Sequence, residues 1–252
     1  MVPILVKFAD FTLHTYGVLL AVGFLLAVLW AAREARREGV DPNLILDMAF
    51  YLLLAALVGS RVFYVLSNYH EFRDNPVAMV KFWQGGLVFF GGFLCAVVVG
   101  TWYVRKHRLN FQQMADILVP SIALGQAIGR LGCFAAGCCY GLPTNLPWAI
   151  TFRNENSLAP LGIPLHPTQL YESGATFIIF IVLMAMRKSR RFQGKILWYY
   201  ILFYSTIRFI IEFYRADPRG WFVPEVLSTS QAIAIPLVVL AVFMLWGNKS
   251  RH

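Results

Sequence analysis

The sequence predicts an all-α, polytopic membrane protein whose single integral domain, residues 1–252, crosses the bilayer about seven times. Hydrophobic residues make up 58% of the chain and charged residues only 14%, whereas soluble domains carry about 25% charged residues. Mean hydropathy is +0.61. Apolar segments long enough to span a bilayer as helices recur along the chain. We place them at 12–32, 44–66, 86–104, 116–134, 169–186, 196–214 and 229–246.

Basic residues are distributed unevenly between the connections. Thirteen Lys and Arg residues lie in the 1–2, 3–4 and 5–6 connections and the C-terminal tail, against six on the opposite side. Because short cytoplasmic connections are rich in Lys and Arg, we expect an external N-terminus and a cytoplasmic C-terminus. The formal net charge of +9 has the same origin, so no nucleic-acid partner is predicted. No small-residue cleavage site follows the first segment, which indicates a retained helix.

Three arginines interrupt apolar segments, and Arg130 is the most informative of them. Its surroundings, residues 117–136, are otherwise almost wholly apolar or small, and an Arg at bilayer depth costs about 2.5–3.5 kcal/mol. Asp116, the nearest acidic residue in the same segment, is about four helical turns away. The partner of Arg130 therefore comes from another segment or is an anionic ligand, and we favour a phosphate. The other two are Arg61 and Arg208.

Small and acidic residues accompany two of these arginines. Gly125, Gly129 and Gly132 precede and follow Arg130, and glycines at this spacing allow close helix packing or leave room for a ligand. Arg208 and Glu212 are four residues apart on one helix face. Either they form an ion pair that lowers the insertion cost, or Arg208 contacts a ligand directly.

Histidine and tyrosine side chains stand at the outer ends of two segments. A His-Pro-Thr-Gln-Leu-Tyr-Glu run begins at His166 and ends at Glu172. Since Pro and Thr suit a helix start and a carboxylate is favoured there, the run is either a capping motif or the polar rim of a site. His14 and Tyr16, in the first segment, are either interfacial side chains or part of a site.

Three of the four cysteines cluster at the outer end of the fourth segment. They are Cys133, Cys138 and Cys139, and the fourth, Cys95, is predicted to be a small apolar filler. The region offers no His or Cys spacing typical of zinc, so no metal is predicted. An oxidising outer face would allow a disulfide from Cys133 to Cys138 or Cys139, and the sequence does not choose between these states.

The longest connection, 137–167, is predicted to be external. It combines turn-forming Gly and Pro residues with aromatic and aliphatic side chains, which predicts a small ordered periplasmic cap over the helix ends. The 67–86 connection is predicted to hold a short amphipathic piece in the interface. Two double glycines, at 85–86 and 91–92, favour a tight turn and close helix packing.

Together these motifs resemble the bacterial phosphatidylglycerol–prolipoprotein diacylglyceryl transferase family. They occur in the family's order between residues 14 and 231. The matching blocks are His14-Thr15-Tyr16-Gly17, Gly59-Ser60-Arg61, Trp83-Gln84-Gly85-Gly86 with Gly91-Gly92, Gly129-Arg130-Leu131-Gly132, His166-Pro167-Thr168-Gln169-Leu170-Tyr171-Glu172 and Arg208-Phe209-Ile210-Ile211-Glu212-Phe213-Tyr214-Arg215. The fourth and fifth blocks are the most specific.

The resemblance implies an enzyme of the bacterial inner membrane that carries out the first step of lipoprotein maturation. It would transfer the diacylglyceryl group of phosphatidylglycerol to the lipobox cysteine of a prolipoprotein, forming a thioether and releasing glycerol 1-phosphate, without a cofactor. The implied catalytic residues are Arg130, Arg208, Tyr16 and His14. The implied lipid-binding residues are Arg130, Arg208, Glu212, Gly129, Gly132, Gly141, His166, Gln169 and Tyr171.

The chain departs from the family pattern at three positions. Phe90 stands where the family commonly has a His that is often proposed as the base for the thiol. Cys133 and Cys138 replace a common Asn and Glu. The base is therefore His14, His166, or water together with the phosphate itself. A thiol needs little help, because its pKa is about 8.5 and a nearby Arg lowers it.

Two other function classes compete with the transferase. A non-catalytic lipid or anion transporter would also use buried arginines, but the sequence lacks the pair of matching halves with interrupted helices typical of transporters. A membrane thiol oxidoreductase would use the cysteine cluster, but adjacent Cys138 and Cys139 lack the usual Cys-x-x-Cys spacing.

Overall fold

The structure, a computed structural model, describes residues 2–8, 11–73, 76–81, 85–189, 192–217, 221–223 and 227–247. Several residues used in the sequence analysis lie outside the described part of the chain. They are Trp83 and Gln84 of the family resemblance, and Arg190, Arg191, Arg219, Lys249 and Arg251 of the charge count.

Helices dominate the described residues, which confirms the all-α prediction. They are α1 (Thr15–Arg37), α2 (Pro42–Ser67), α3 (Tyr69–Phe72), α4 (Phe89–Lys106), α5 (Phe111–Ala136), α6 (Thr168–Arg187), α7 (Ile196–Glu212) and α8 (Thr229–Gly247). A 3₁₀ helix covers Pro76–Val80. With α3, it places short helical pieces in the 67–86 connection, where the sequence predicts one.

Within the described part of the chain, five helices are long and apolar enough to cross a membrane: α1, α2, α5, α6 and α8. The predicted third and sixth segments correspond to α4, of 18 residues, and α7, of 17 residues. Both are close to the minimum length of a spanning helix. A count of seven spans stays a prediction.

Among the described residues, three short antiparallel hairpins accompany the helices, and the sequence does not predict them. They are β1 (Ile4–Phe8) with β2 (Phe11–His14), β3 (Ile150–Thr151) with β4 (Pro164–Leu165), and β5 (Trp221–Val223) with β6 (Leu227–Ser228). The first hairpin corrects the predicted start of the first segment at residue 12. Residues 11–14 pair with β1, and the amide of Thr15 donates to the carbonyl of Pro3, so the helix begins only at Thr15.

Residues 31–114 form one compact unit, in which α2 and α4 pack through glycine. A Cβ at Gly92 would lie 2.7 Å from the Ala56 carbonyl oxygen, and one at Gly59 would lie 2.6 Å from the Gly91 carbonyl oxygen. Contacts this short leave no space for a side chain. The close packing predicted for the 91–92 double glycine is confirmed.

Replacing Gly92 with Ala is expected to lower the free energy of unfolding by about 1–3 kcal/mol, since the added methyl would push α2 and α4 apart. Gly174→Ala is the matched control, because Gly174 is also inside a helix but has no atom within 4 Å of its Cβ position. That control should stabilise the protein by up to about 1 kcal/mol through helix propensity. Thermal unfolding in detergent measures both, and equal stability of the two variants would contradict the packing role.

Arg61 lies in the same unit, and its partners are backbone carbonyl groups. Its guanidinium donates to the carbonyls of Met79 at 2.8 Å, Ala78 at 2.6 Å, Gly85 at 2.7 Å and Gly86 at 3.0 Å. Four backbone acceptors account for most of the five donors of an Arg. This arginine therefore anchors the connection between α2 and α4 rather than an anion.

Residues 1–30 and 115–252 form the other compact unit. An apolar cluster lies between α5, α6 and the start of α7, around Val119, Ala123, Ile179, Phe180, Leu183 and Ile196. α1 approaches α5 closely, because Cβ atoms at Gly23 and Gly125 would lie 3.0 and 3.4 Å from each other's carbonyl oxygens. The Asp116 carboxylate accepts hydrogen bonds from the amides of Gly194 and Ile196 and so caps α7.

The 137–167 connection belongs to this unit and contains β3 and β4. Phe152, Ala159 and Leu165 are buried together against Phe134 at the end of α5. This segment therefore has a small apolar core of its own. Its place as a periplasmic cap, and the grouping of the chain into one integral domain, stay predictions.

Candidate active site

Arg130 reaches into the centre of a polar cluster from the last third of α5. Its Nη2 lies 2.8 Å from Oε1 of Glu172 on α6. The Glu172 side chain is 2% exposed and that of Arg130 is 23% exposed. The carboxylate partner of Arg130 is thus supplied by another helix, one of the two sources that the sequence analysis left open.

Glu172 binds more than one cation. Its Oε2 lies 3.8 Å from Nη1 of Arg215, and its Oε1 accepts a hydrogen bond from the Tyr204 hydroxyl at 3.1 Å. The helix start predicted for this run is confirmed, because α6 begins at Thr168 directly after Pro167, but Glu172 lies beyond the first turn and does not cap the helix. Glu172 is instead the buried carboxylate that joins α5, α6, α7 and the segment after α7.

Arg215 follows the end of α7 and is almost fully enclosed, with a side chain that is 4% exposed. Its Nε and Nη2 donate to the two carboxylate oxygens of Asp217 at 3.1 and 3.0 Å. A backbone bridge joins it to Gly141. The 137–167 connection thereby fixes the backbone of Arg215.

Arg208 lies one helical turn before Glu212 on α7, and their Nη1 and Oε2 atoms are 2.8 Å apart. Its Nη2 donates to the Ser230 hydroxyl of α8 at 3.1 Å. The same side chain lines a cavity of about 160 Å³ between α7 and α8, together with Tyr204 and Ser205. Ile233, Ala234 and Leu237 form its apolar wall. The ion pair therefore exists, and Arg208 also borders space that a ligand can enter.

The three clustered cysteines meet beside Arg130. The sulfur atoms of Cys133, Cys138 and Cys139 all lie within 4.8 Å of one another, and each is a free thiol in this structure. Nη1 of Arg130 is 3.7 Å from the Cys139 sulfur. The sequence left open whether these cysteines are thiols or form a disulfide, and in the structure they are thiols.

Hydrogen bonds with the thiols of Cys133 and Cys138 lower the pKa of Cys139 below the usual range of a thiol. The positive charges of Arg215 and Arg130 lower it further. The pKa of Cys138 is raised, because its hydrogen bonds with Cys133 and Cys139 and its burial favour the protonated form. Of these two thiols, Cys139 therefore loses its proton more readily, and its sulfur is in contact with Arg130.

The start of α6 fixes the loop that carries two of these cysteines. The Thr168 hydroxyl donates to the carbonyl of Cys139, and Nε2 of Gln169 donates to the carbonyl of Cys138, each at 2.7 Å. Cys139 has a φ of 59°, a conformation uncommon for a residue with a side chain. Gln169 thus acts here through the backbone of the cysteine loop.

His166, Tyr171 and Gly141 form the next layer. The Tyr171 hydroxyl accepts from Nε1 of Trp148 at 2.7 Å and lies 3.2 Å from Nδ1 of His166. A Cβ at Gly141 would lie 2.5 Å from the His166 carbonyl oxygen and 2.8 Å from that of Tyr214. Glycine is required at this position by close backbone approach.

The two predicted catalytic residues on the first segment have different surroundings. Tyr16 packs on α5, because a Cβ at Gly132 would lie 3.2 Å from its ring. Gly129, by contrast, has only Leu20 nearby, 3.8 Å from its Cβ position. His14 ends β2 and is exposed, and among the described residues no side-chain hydrogen bond joins it to the cluster.

Phe90 stands at the start of α4, in the 31–114 unit. It is 60% exposed and meets Phe89 edge to face at 5.8 Å. A phenyl ring cannot accept a proton, so the residue at this position does not act as a base.

The structure adds Arg215, Tyr204, Ser230 and Cys139 to the site residues named from sequence. One signal for Tyr204 was present, because Tyr200, Tyr204, Arg208 and Glu212 recur every four residues and share one face of α7. Tyr200 donates to Gln126 on α5 at 2.6 Å, which continues this polar stripe across the helix pair. Arg215 ends the last block of the family resemblance, whereas no local signal marks Ser230.

Comparison with known proteins gives a single result. The family model described as prolipoprotein diacylglyceryl transferase matches residues 3–247. The phosphatidylglycerol–prolipoprotein diacylglyceryl transferase of Clostridium tetani is 34% identical over 97% of this chain and 96% of its own length. Its namesakes from Finegoldia magna and Clostridioides difficile are 37% and 38% identical over 91% and 80% of this chain, and 88% and 78% of their own lengths. Together with the apolar helices, this identifies a multi-pass membrane protein, and the chain belongs to the prolipoprotein diacylglyceryl transferase family.

Proposed function

We propose that this protein transfers the diacylglyceryl group of phosphatidylglycerol to the cysteine thiol of a prolipoprotein lipobox. The thiol sulfur attacks the glycerol carbon that carries the phosphate, and a carbon–sulfur bond replaces the carbon–oxygen bond. The electron pair of the broken bond stays on the phosphate, which leaves as glycerol 1-phosphate. The product is the thioether found after the first step of lipoprotein maturation.

The observation that carries this proposal is the state of Arg130. Its Nη2 is held by Glu172 at 2.8 Å, and Tyr204 also hydrogen-bonds to its guanidinium. Its Nη1 contacts the Cys139 sulfur at 3.7 Å, which is longer than a hydrogen bond to oxygen, so this nitrogen can donate to a phosphate oxygen instead. A fixed donor aimed at the departing phosphate would stabilise the charge that develops there.

Arg208 is the proposed second phosphate ligand. It is positioned by Glu212 and Ser230 and borders a cavity with a polar end and an apolar wall. Such a cavity suits the headgroup region of a phospholipid, in which charge and hydrocarbon adjoin. Holding the lipid at two points would align the glycerol carbon for in-line attack by the thiol.

The remaining predicted residues are assigned supporting roles. Tyr16, with Gly129 and Gly132, would shape the space between α1 and α5. Gln169, Gly141, His166 and Tyr171 would hold the cysteine loop and the segment that bears Arg215. His14 stays a candidate base, although it is exposed, and His166 is the alternative.

We further propose that the chain lies in the bacterial cell membrane with its N-terminus outside and its C-terminus in the cytoplasm. The unequal distribution of Lys and Arg supports this orientation. It would place the end of α5, and with it the candidate site, toward the side where secreted precursors emerge. Prolipoprotein and membrane lipid would then reach the same face.

A transfer assay in detergent tests the proposal. Phosphatidylglycerol labelled in its acyl chains is mixed with a lipobox peptide that has one Cys, and a peptide with Ser in its place is the control. We expect label on the Cys peptide alone, and about 100-fold slower transfer by Arg208→Lys, because a point charge replaces a two-pronged donor.

Exposed Arg105 provides the matched variant, Arg105→Lys, which should transfer normally. Movement of labelled lipid between vesicles without label on the peptide would favour the transporter. Oxidation of the peptide thiol without lipid would favour the oxidoreductase.

A further inference from the structure

The cysteine cluster has the geometry of a three-sulfur metal site. Cys133 lies in the last turn of α5, and Cys138 and Cys139 lie in the loop that follows. Their three sulfur atoms are within 4.8 Å of one another. Around a tetrahedral zinc ion with bonds of about 2.3 Å, ligand sulfurs are about 3.8 Å apart. A movement of the three side chains by less than about 1 Å would close the site.

The protein fixes the backbone of the loop that carries two of these sulfurs independently of any ion. Hydrogen bonds from Thr168 and Gln169 fix the carbonyls of Cys139 and Cys138. Cys133 is buried on the helix side, whereas Cys138 and Cys139 are only partly buried. One side of the cluster is therefore open to a fourth ligand, as in catalytic rather than structural zinc sites.

The charges around the cluster favour thiolates. Nη1 of Arg130 lies 3.7 Å from the Cys139 sulfur. Three thiolates and one divalent cation carry a net charge of −1, which this arginine would stabilise. The same arginine would oppose a cation held by neutral ligands, so the site selects a soft metal bound through sulfur.

We propose that Cys133, Cys138 and Cys139 bind one zinc ion as thiolates and that the acceptor cysteine occupies its fourth position. The second half of this proposal rests on the proposed transferase function. A thiol that coordinates zinc loses its proton, here to water. The bound sulfur would then attack the glycerol carbon while the carbon–oxygen bond breaks toward the phosphate held by Arg130. Zinc changes no oxidation state, and the thioether, which has no charge, is released.

The proposal explains why Phe90 is tolerated. A metal-bound thiolate needs no histidine base, since coordination has already removed the proton. Cys133 and Cys138, the two cysteines that depart from the family pattern, would then help to hold the metal that deprotonates the acceptor thiol in place of a histidine base. The absence of a metal was predicted from the spacing of the cysteines in the sequence. The loop reaches Cys139, which has a positive φ, and brings the three sulfurs together at a spacing that is not typical of zinc sites.

Metal content and cobalt spectra test the site without relying on activity. Protein purified in detergent under anaerobic conditions should contain one zinc per chain by mass spectrometry. Cobalt exchanged into the site should give thiolate-to-metal charge-transfer bands and the strong visible bands of a tetrahedral ion. Cys133→Ser, Cys138→Ser and Cys139→Ser should each weaken cobalt binding at least about 100-fold. Cys95→Ser, at a cysteine outside the cluster, should change nothing.

The acceptor half is tested by adding the two lipobox peptides to the cobalt protein. The Cys peptide should intensify the charge-transfer bands, because a fourth thiolate joins, and the Ser peptide should not. Zinc removal by a chelator should abolish transfer, and zinc should restore it. A metal-free protein that transfers at the full rate, or a disulfide within the cluster of the active protein, would overturn the proposal. Cobalt binding with no transfer by any preparation would support the metal site and refute the transferase.

Discussion

Arg130→Lys is expected to slow diacylglyceryl transfer by about 10²–10³-fold while zinc or cobalt binding persists. Lysine keeps the positive charge but cannot hold Glu172 with one nitrogen and donate to a phosphate with another. Loss of one aligned donor to developing negative charge has this magnitude in other enzymes. The measurement is the initial rate of label transfer to the lipobox peptide at saturating lipid.

Arg153→Lys is the matched control, because Arg153 is exposed in the 137–167 connection. It should transfer at the wild-type rate. If Arg130→Lys kept more than a third of the wild-type rate, Arg130 would not be a phosphate ligand. If Arg130 had only a structural role, the variant would lose stability along with activity. Thermal unfolding is therefore measured on the same preparations.

Glu172→Gln is expected to be the most destabilising conservative substitution in the site. The amide is the same size as the carboxylate but leaves the charges of Arg130 and Arg215 without their shared partner. Removal of one member of a buried ion pair costs about 3–5 kcal/mol. Glu172 is 2% exposed and the side chain of Arg215 is 4% exposed, so solvent screens this pair little. Thermal or denaturant unfolding in detergent measures the loss.

Two further variants separate charge from packing. Glu155→Gln, at an exposed position, should change stability by less than about 0.5 kcal/mol. The double variant Glu172→Gln with Arg130→Gln should recover part of the loss, because the charge of Arg130 is removed together with its carboxylate partner, while Arg215 keeps Asp217. Additive effects of the two substitutions would contradict a direct interaction between these side chains.

The buried ions balance one another closely. Arg130, Arg208 and Arg215 face Glu172, Glu212 and Asp217, and each arginine is within 4 Å of at least one carboxylate. This pairing lowers the cost of placing arginines among apolar helices. It also means that these arginines offer a phosphate no excess of positive charge over their carboxylates, so its affinity would come from aligned donors.

The membrane character of the chain and its main helices followed from sequence alone. Hydropathy is a local property, and the cost of a charge in an apolar segment can be assigned to a single residue. Arg130 and Arg208 were therefore recognised without a structure, and the glycines at 91–92 were correctly interpreted as packing positions. The family resemblance was equally readable, because its motifs are short and contiguous.

The first hairpin and the role of Arg61 could not be read in the same way. Both depend on backbone groups elsewhere in the chain. Residues 11–14 pair with β1 instead of extending α1, and Arg61 donates to carbonyls up to 25 residues away. Hydropathy carries no information on which backbone acceptors a side chain will find.

The sequence by itself thus determined a membrane-embedded chain with arginines that need anionic partners, because insertion energy depends on residue type and local position. Only the tertiary structure decided which residues those partners are. Glu172 meets Arg130 and Arg215 from positions more than 40 residues away in sequence, and Cys139 meets Arg130 through a turn with a positive φ. Such convergence is fixed by helix packing and loop geometry, which bring distant residues together only once the whole unit has folded.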